Sequence, residues 1–85
     1  MYYVYILTCG DGSLYTGITN DLSRRVDAHS RGKGAKYTRS HLPVTLSYSE
    51  EVPDKSAALK RELAIKALSH GAKLALIQGA GEKER

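Results

Sequence analysis

The stretch that decides the fold is Tyr2-Tyr3-Val4-Tyr5-Ile6-Leu7-Thr8-Cys9-Gly10-Asp11-Gly12-Ser13-Leu14-Tyr15-Thr16-Gly17-Ile18-Thr19. Its opening is rich in β-branched and aromatic residues and reads as a strand. Cys9-Gly10-Asp11-Gly12 reads as a turn, because two glycines and an aspartate supply the backbone angles of a tight reversal. Ser13 to Thr19 then returns as a second strand, completing a β-hairpin. With the turn centred on Asp11, Tyr5 lies opposite Gly17 and Leu7 opposite Tyr15. Tyr3, Tyr5, Leu7, Tyr15, Gly17 and Thr19 then share one face. Two tyrosines flanking a glycine either leave an open slot above the backbone or pack as ordinary aromatics on a sheet. A one-residue slip would separate them.

Outward from the hairpin, Asn20-Asp21 caps a helix over about residues 21–31, which ends at Gly32. Gly32-Lys33-Gly34-Ala35-Lys36 is expected to be a flexible basic loop. Pro43 precedes a third strand over 44–49, and Asp54 caps a second helix over about 55–69. His70-Gly71 breaks that helix, and a short third one follows over about 72–78. The order β-β-α-β-α-α implies an α+β fold: a small three-stranded antiparallel sheet flanked by helices. Residues 1–78 form one domain in this reading, with a flexible tail over 79–85.

Size and composition bound the function. A chain of 85 residues holds one domain, and such a domain buries only about 60–65% of its unfolded surface. Any active site must share side chains with the thin core. No apolar run reaches the ~18–20 residues that cross a bilayer. The chain opens directly on a strand, without a signal or transit peptide, so the expected location is the cytoplasm and no membrane partner is expected. The single Cys9 excludes an internal disulfide and a cysteine-based zinc site.

Thirteen basic residues face nine acidic ones, for a net charge of +4. The excess is local: between Arg24 and Arg39 stand six basic residues and one acid, Asp27. Arg24, Arg31, Lys33, Lys36 and Arg39 are candidates for phosphate contacts, with Tyr37 and Thr38 as further donors among them. The plain alternative is a solvated helix face and loop.

Three side chains fit a purely structural role poorly. In the first helix Leu22, Val26 and His29 form a stripe, and Arg25 lies on its edge. An inward arginine is costly unless paired, although a snorkelling Arg25 beside a satisfied core histidine would meet the pattern. In the second helix Glu62 projects between Ala58, Leu59 and Ile65. It either makes an i,i+4 ion pair with Lys66 or is a carboxylate held for a hard divalent cation.

These residues together resemble the GIY-YIG nuclease superfamily, most closely its stand-alone, single-domain bacterial (YhbQ-like) branch. Tyr3-Val4-Tyr5 stands where that family has Gly-Ile-Tyr, and Tyr15-Thr16-Gly17 where it has Tyr-Ile-Gly. Gly17 to Leu22 with Arg25 and His29 is similar to the family's strand-to-helix segment. Leu59-Lys60-Arg61-Glu62 with Ile65-Lys66 is similar to its metal-binding helix. The likeness covers about residues 2–77. It departs at Tyr3, which replaces the first glycine. It departs again in lacking the asparagine that some members carry after the glutamate, for which Gln78 is the one chemical substitute.

The resemblance implies metal-assisted hydrolysis of a phosphodiester. Glu62 would hold one Mg²⁺ or Mn²⁺, and Arg25 would stabilise charge on the phosphoryl group. Tyr15 would orient or deprotonate the attacking water, and Tyr5 would hydrogen-bond Tyr15, water or phosphate. His29 would share the proton transfer, and Gly17 would keep the slot open. The implied function is a weakly specific or structure-tolerant endonuclease acting on DNA, in repair or turnover. A homodimer or protein partner would supply the selectivity that so small a surface lacks. The alternative is a non-catalytic nucleic-acid-binding or accessory module on the same fold.

Overall fold

The computed structural model describes the backbone of residues 1–83 and the side chains of residues 1–79. Its elements are β1 (Tyr2–Cys9), β2 (Leu14–Thr19), α1 (Leu22–Ser30), α2 (Lys36–Arg39), β3 (Val44–Val52), α3 (Lys55–Lys66) and α4 (His70–Lys83). The strands form one antiparallel sheet in the order β2-β1-β3. The expected α+β architecture is present, with one addition: α2, a single turn inside the stretch expected to be a basic loop.

The hairpin register is the one that the turn chemistry dictates. Tyr5 pairs with Gly17, Leu7 with Tyr15 and Tyr3 with Thr19. Gly12 takes a positive φ of 85° in the turn, a backbone angle that glycine adopts without a Cβ penalty. Because β1 is central, both of its faces are covered: Val4, Tyr5, Ile6 and Leu7 are 0–1% exposed. On one face Val4 and Ile6 pack with Ala58 and Ile65 of α3, and Tyr48, Leu76 and Ile77 border this cluster. The other face carries Tyr5 and Leu7 toward α1.

β3 serves both faces through an irregularity. Ile6 pairs with Tyr48 but Leu7 pairs with Leu46, so Ser47 is an extra residue opposite the Ile6–Leu7 step. Without this bulge Leu46 and Tyr48 would lie on one face. With it Tyr48 joins the apolar cluster and Leu46 goes to the α1 side.

Several boundaries differ from the sequence expectation. The N-cap of α1 is Asp21 rather than Asn20; its carboxylate accepts the Arg24 N–H at 3.1 Å. Asp54 caps α3 as expected, accepting from the Ala57 N–H at 2.8 Å. β3 extends to Val52, because Tyr2 to Tyr5 continue to offer it partners. α3 ends at Lys66, and α4 starts at His70 and continues through Gly79 to Lys83. Of the expected flexible segment 79–85, the last two residues lie outside those described. No helix among the described residues is long and apolar enough to cross a membrane.

Candidate active site

Tyr5 is the centre of the site, and the sequence brings it there simply. It points to the α1 side of the central strand, directly across from Gly17. The gap left by Gly17 is filled and is no open slot: a Cβ at Gly17 would stand 2.5 Å from the Tyr5 hydroxyl. The glycine therefore exists to let the phenol lie over the neighbouring strand.

The Tyr5 hydroxyl bonds to His29 Nε2 at 2.9 Å. His29 Nδ1 lies 2.7 Å from Thr38 Oγ1, and that hydroxyl donates to the Ala35 carbonyl at 3.0 Å. Thr38 has one proton, and it goes to Ala35. With that assignment it accepts from His29, the imidazole proton is on Nδ1, and Nε2 is left to accept the Tyr5 proton. The Ala35 N–H also points at Nδ1, but at 3.4 Å it is the longest contact of the set. Tyr5, His29 and Thr38 are essentially inaccessible to solvent. Burial, and then the charge of Arg25, push the His29 pKa down, so the ring is neutral. Burial raises the Tyr5 pKa as well; Arg25 opposes this, while Tyr15 and Glu62 reinforce it. Tyr5 thus keeps its proton and serves as a donor to His29.

The five catalytic candidates divide into two groups. Tyr5 and His29 form a buried, hydrogen-bonded pair. Tyr15, Arg25 and Glu62 are only partly covered and all act electrostatically on the Tyr5 phenol. The Tyr15 ring stands 5.3 Å from that of His29. Arg25 shares with Arg24 an open hollow of ≈ 490 Å³ at the junction of β2 and α1, also lined by Thr19, Asn20, Asp21 and Ala28. Glu62 lies between Ala58 and Ile65 on the covered stripe of α3, and its side chain is 17% exposed. Its Oε2 is 3.4 Å from Lys66 Nζ, so the ion pair read as the plain alternative does form. Gln78 is exposed on α4.

Arg31 is exposed and makes an i,i+4 pair with Asp27 at 2.6 Å. The basic stretch needs two corrections. Thr38 cannot be a phosphate donor, because it is buried beneath His29. The segment read as a flexible loop is pinned at its middle: a Cβ at Gly34 would run into the His29 ring. Lys33, Lys36 and Arg39 remain exposed. Gly34, Ala35 and Thr38 are therefore the site-forming residues that sequence reasoning missed. The only local hint was an inward histidine followed by a glycine-bearing loop.

No group of three or more His, Cys, Asp or Glu side chains is placed to hold a metal among the described residues. Glu62 is the single carboxylate among the five candidates. One carboxylate with free coordination positions suits a hard cation that keeps water and takes phosphate oxygens, and does not suit a zinc-type cage.

Comparison with known proteins gives the family. Residues 1–74 match the GIY-YIG catalytic domain. A UPF0213 protein of Streptococcus sanguinis is 57% identical over 76 residues, covering 89% of this chain and 87% of that protein. One from Halobacterium salinarum is 51% identical over 76 residues, covering 89% and 99%. The solution NMR structure of a UPF0213 protein from Bacillus halodurans has a TM-score of 0.59 at 47% identity, covering 92% of this chain and 84% of that one. With the family match spanning nearly all of the described fold, the chain belongs to the GIY-YIG catalytic-domain family, a family of endonucleases, and its relatives are UPF0213 proteins.

Proposed function

We propose that this protein is a metal-dependent endonuclease that hydrolyses phosphodiester bonds in DNA with little sequence selectivity, in repair or turnover. The observation that carries the reading is the surroundings of the buried Tyr5 phenol: it is hydrogen-bonded to His29, whose ring stands 5.3 Å from that of Tyr15, and the charges of Arg25 and Glu62 both act on it. A purely structural cluster has no need to hold a guanidinium and a carboxylate around a tyrosine pair.

In this reading Tyr15 orients the attacking water. Tyr5, donating to His29 Nε2, presents its oxygen lone pairs to the group that carries the water proton. His29 and Thr38 do not touch substrate; they position Tyr5. As water attacks phosphorus, the bond to the 3′ oxygen breaks, and the guanidinium of Arg25 stabilises the charge that builds on the phosphoryl oxygens. Glu62 would hold Mg²⁺ or Mn²⁺, with water and phosphate oxygens completing the shell. Such an ion supplies charge neutralisation at the phosphate and at the leaving oxygen. Lys33, Lys36 and Arg39, with Arg24 and Arg31, contact backbone phosphates and read no sequence. Selectivity comes from substrate shape or from a second subunit or partner protein.

One observation favours the accessory-module reading: Glu62 already has a cationic partner in Lys66. The two readings part in one experiment. Labelled single-stranded, duplex and branched DNA are incubated with Mg²⁺ or Mn²⁺ and either wild type or Glu62→Ala. The expected result is cleavage by wild type and a loss of about 100-fold or more in the variant, with folding and binding retained. Equal cleavage by both removes Glu62 from the site. Binding without cleavage on every substrate establishes the accessory module.

A further inference from the structure

β2 is an edge strand, and the sheet order leaves its outer side without a strand partner. Along that side lies a cleft of ≈ 280 Å³ lined by Leu14, Tyr15, Thr16, Tyr37, Lys66 and Lys73. The cleft straddles the strand. Tyr15 faces the α1 side of the sheet, Thr16 faces the α3 side, and the two lysines come from α3 and α4. We infer that this cleft is a nucleotide subsite next to Tyr15, in which the ammonium groups of Lys66 and Lys73 take a backbone phosphate and the ring of Tyr37 takes an unstacked base. The inference rests on the nuclease reading above and extends its substrate track. The strand leaves Tyr15 over the β2 edge toward α4, not only along the basic stretch between Arg24 and Arg39.

Two independent features support it. First, Tyr37 is 41% exposed yet rigidly supported. His41 stacks on it at 4.1 Å between centroids with planes 10° apart, and its Nδ1 lies 2.6 Å from the Tyr37 carbonyl. Tyr15 stands nearly parallel to Tyr37 at 6.1 Å. An exposed aromatic ring beside Tyr15 is what an unpaired base stacks on. Second, the cleft holds two cations that lie outside the basic stretch. Lys66 shares the carboxylate of Glu62, and among the described residues no carboxylate pairs with Lys73.

The test is binding of a fluorescently labelled single-stranded oligonucleotide of about twelve nucleotides in EDTA, across a salt series, so that cleavage plays no part. Lys66 is left intact because it neighbours Glu62. Lys73→Gln is expected to weaken binding several-fold and to reduce the slope of log affinity against log salt by about 0.7, the share of one released phosphate contact on a single strand. Tyr37→Ala is expected to weaken binding with the slope unchanged, and Tyr37→Phe to restore it. Lys55→Gln, at the far end of α3, serves as control and should bind as wild type. If Lys73→Gln and Tyr37→Ala bind as wild type while a Lys33→Gln, Lys36→Gln double variant does not, the cleft is no subsite and the strand keeps to the basic stretch. If wild type binds no oligonucleotide even at low salt, the nucleic-acid reading fails as a whole and this site fails with it.

Discussion

The two faces of one strand are built on opposite terms. β1 sends Val4 and Ile6 to the α3 side and Tyr5 to the α1 side, all buried to the same degree. On the first side the partners are Ala58 and Ile65, and the contact is apolar. On the second side the buried partners are His29, bonded to Tyr5 at 2.9 Å, and Thr38, bonded in turn to His29 at 2.7 Å. An apolar face is stabilised in proportion to area and is tolerant of direction. A buried polar chain is stabilised only if every member has its partner, and it therefore fixes orientation. The difference explains why the buried hydrogen-bonded residues Tyr5, His29 and Thr38 gather on one side: the α3 face supplies the stability that lets the α1 face be specific.

The largest expected effect tests the apolar side. Ile65 is fully buried in the cluster with Val4, Ile6 and Ala58. Ile65→Ala should lower unfolding free energy by about 2–5 kcal/mol in a urea titration, a large fraction of what a domain this small holds. A loss below about 1 kcal/mol would mean that this face does not carry the fold, and the contrast between faces would fail. On the polar side the comparable change adds a group instead of removing one. Gly17→Ala places a Cβ 2.5 Å from the Tyr5 hydroxyl, and overpacking of this kind costs about 1–3 kcal/mol. It should also displace the phenol from His29, visible as a shifted His29 ring resonance by NMR. Unchanged stability with an unchanged His29 resonance would show that Tyr5 is not clamped over Gly17.

The same contrast marks what could be read from sequence. The hairpin register was legible, since alternation and a glycine-aspartate-glycine turn are local signals that agree. So was the inward stripe of α1, which brought Arg25 and His29 to the right face. The partners of His29 were not legible. Thr38 and Gly34 are set by a tertiary demand, the need of a buried imidazole for an acceptor at Nδ1 and for room beside its ring, and that demand leaves no period in the chain. α2 follows from it: one turn of helix wound where Thr38 must reach both His29 and Ala35. The end of β3 escaped for a related reason. Ser49-Glu50-Glu51 is weak strand sequence, but Tyr3, Val4 and Tyr5 pair with it regardless. Glu50 is held besides by Arg61 at 2.6 Å and by the Tyr48 hydroxyl.

The smallest effect is the most selective, because only one face contains a titratable core. His29 meets Tyr5 from β1, Thr38 and the Ala35 amide from the α2 segment, the Tyr15 ring from β2, and the charge of Arg25 on its own helix. None of these is a carboxylate, so nothing in contact with the ring favours imidazolium. Burial and Arg25 both hold its pKa below the ordinary ~6.5 of an unfolded histidine. The unfolded chain therefore takes up a proton at a pH where the folded chain refuses it. From this group stability is fully present above about pH 6.5 and is lost as pH falls below that value toward the folded pKa. The thermal midpoint should drop between pH 7.5 and 5.5, while the His29 ring resonances of the folded protein titrate with a midpoint below 6.5. If those resonances titrate with a midpoint at or above 6.5, the ring is charged in the native state. Nε2 would then carry a proton, Tyr5 could no longer donate to it, and the polar face would be wired in the opposite direction.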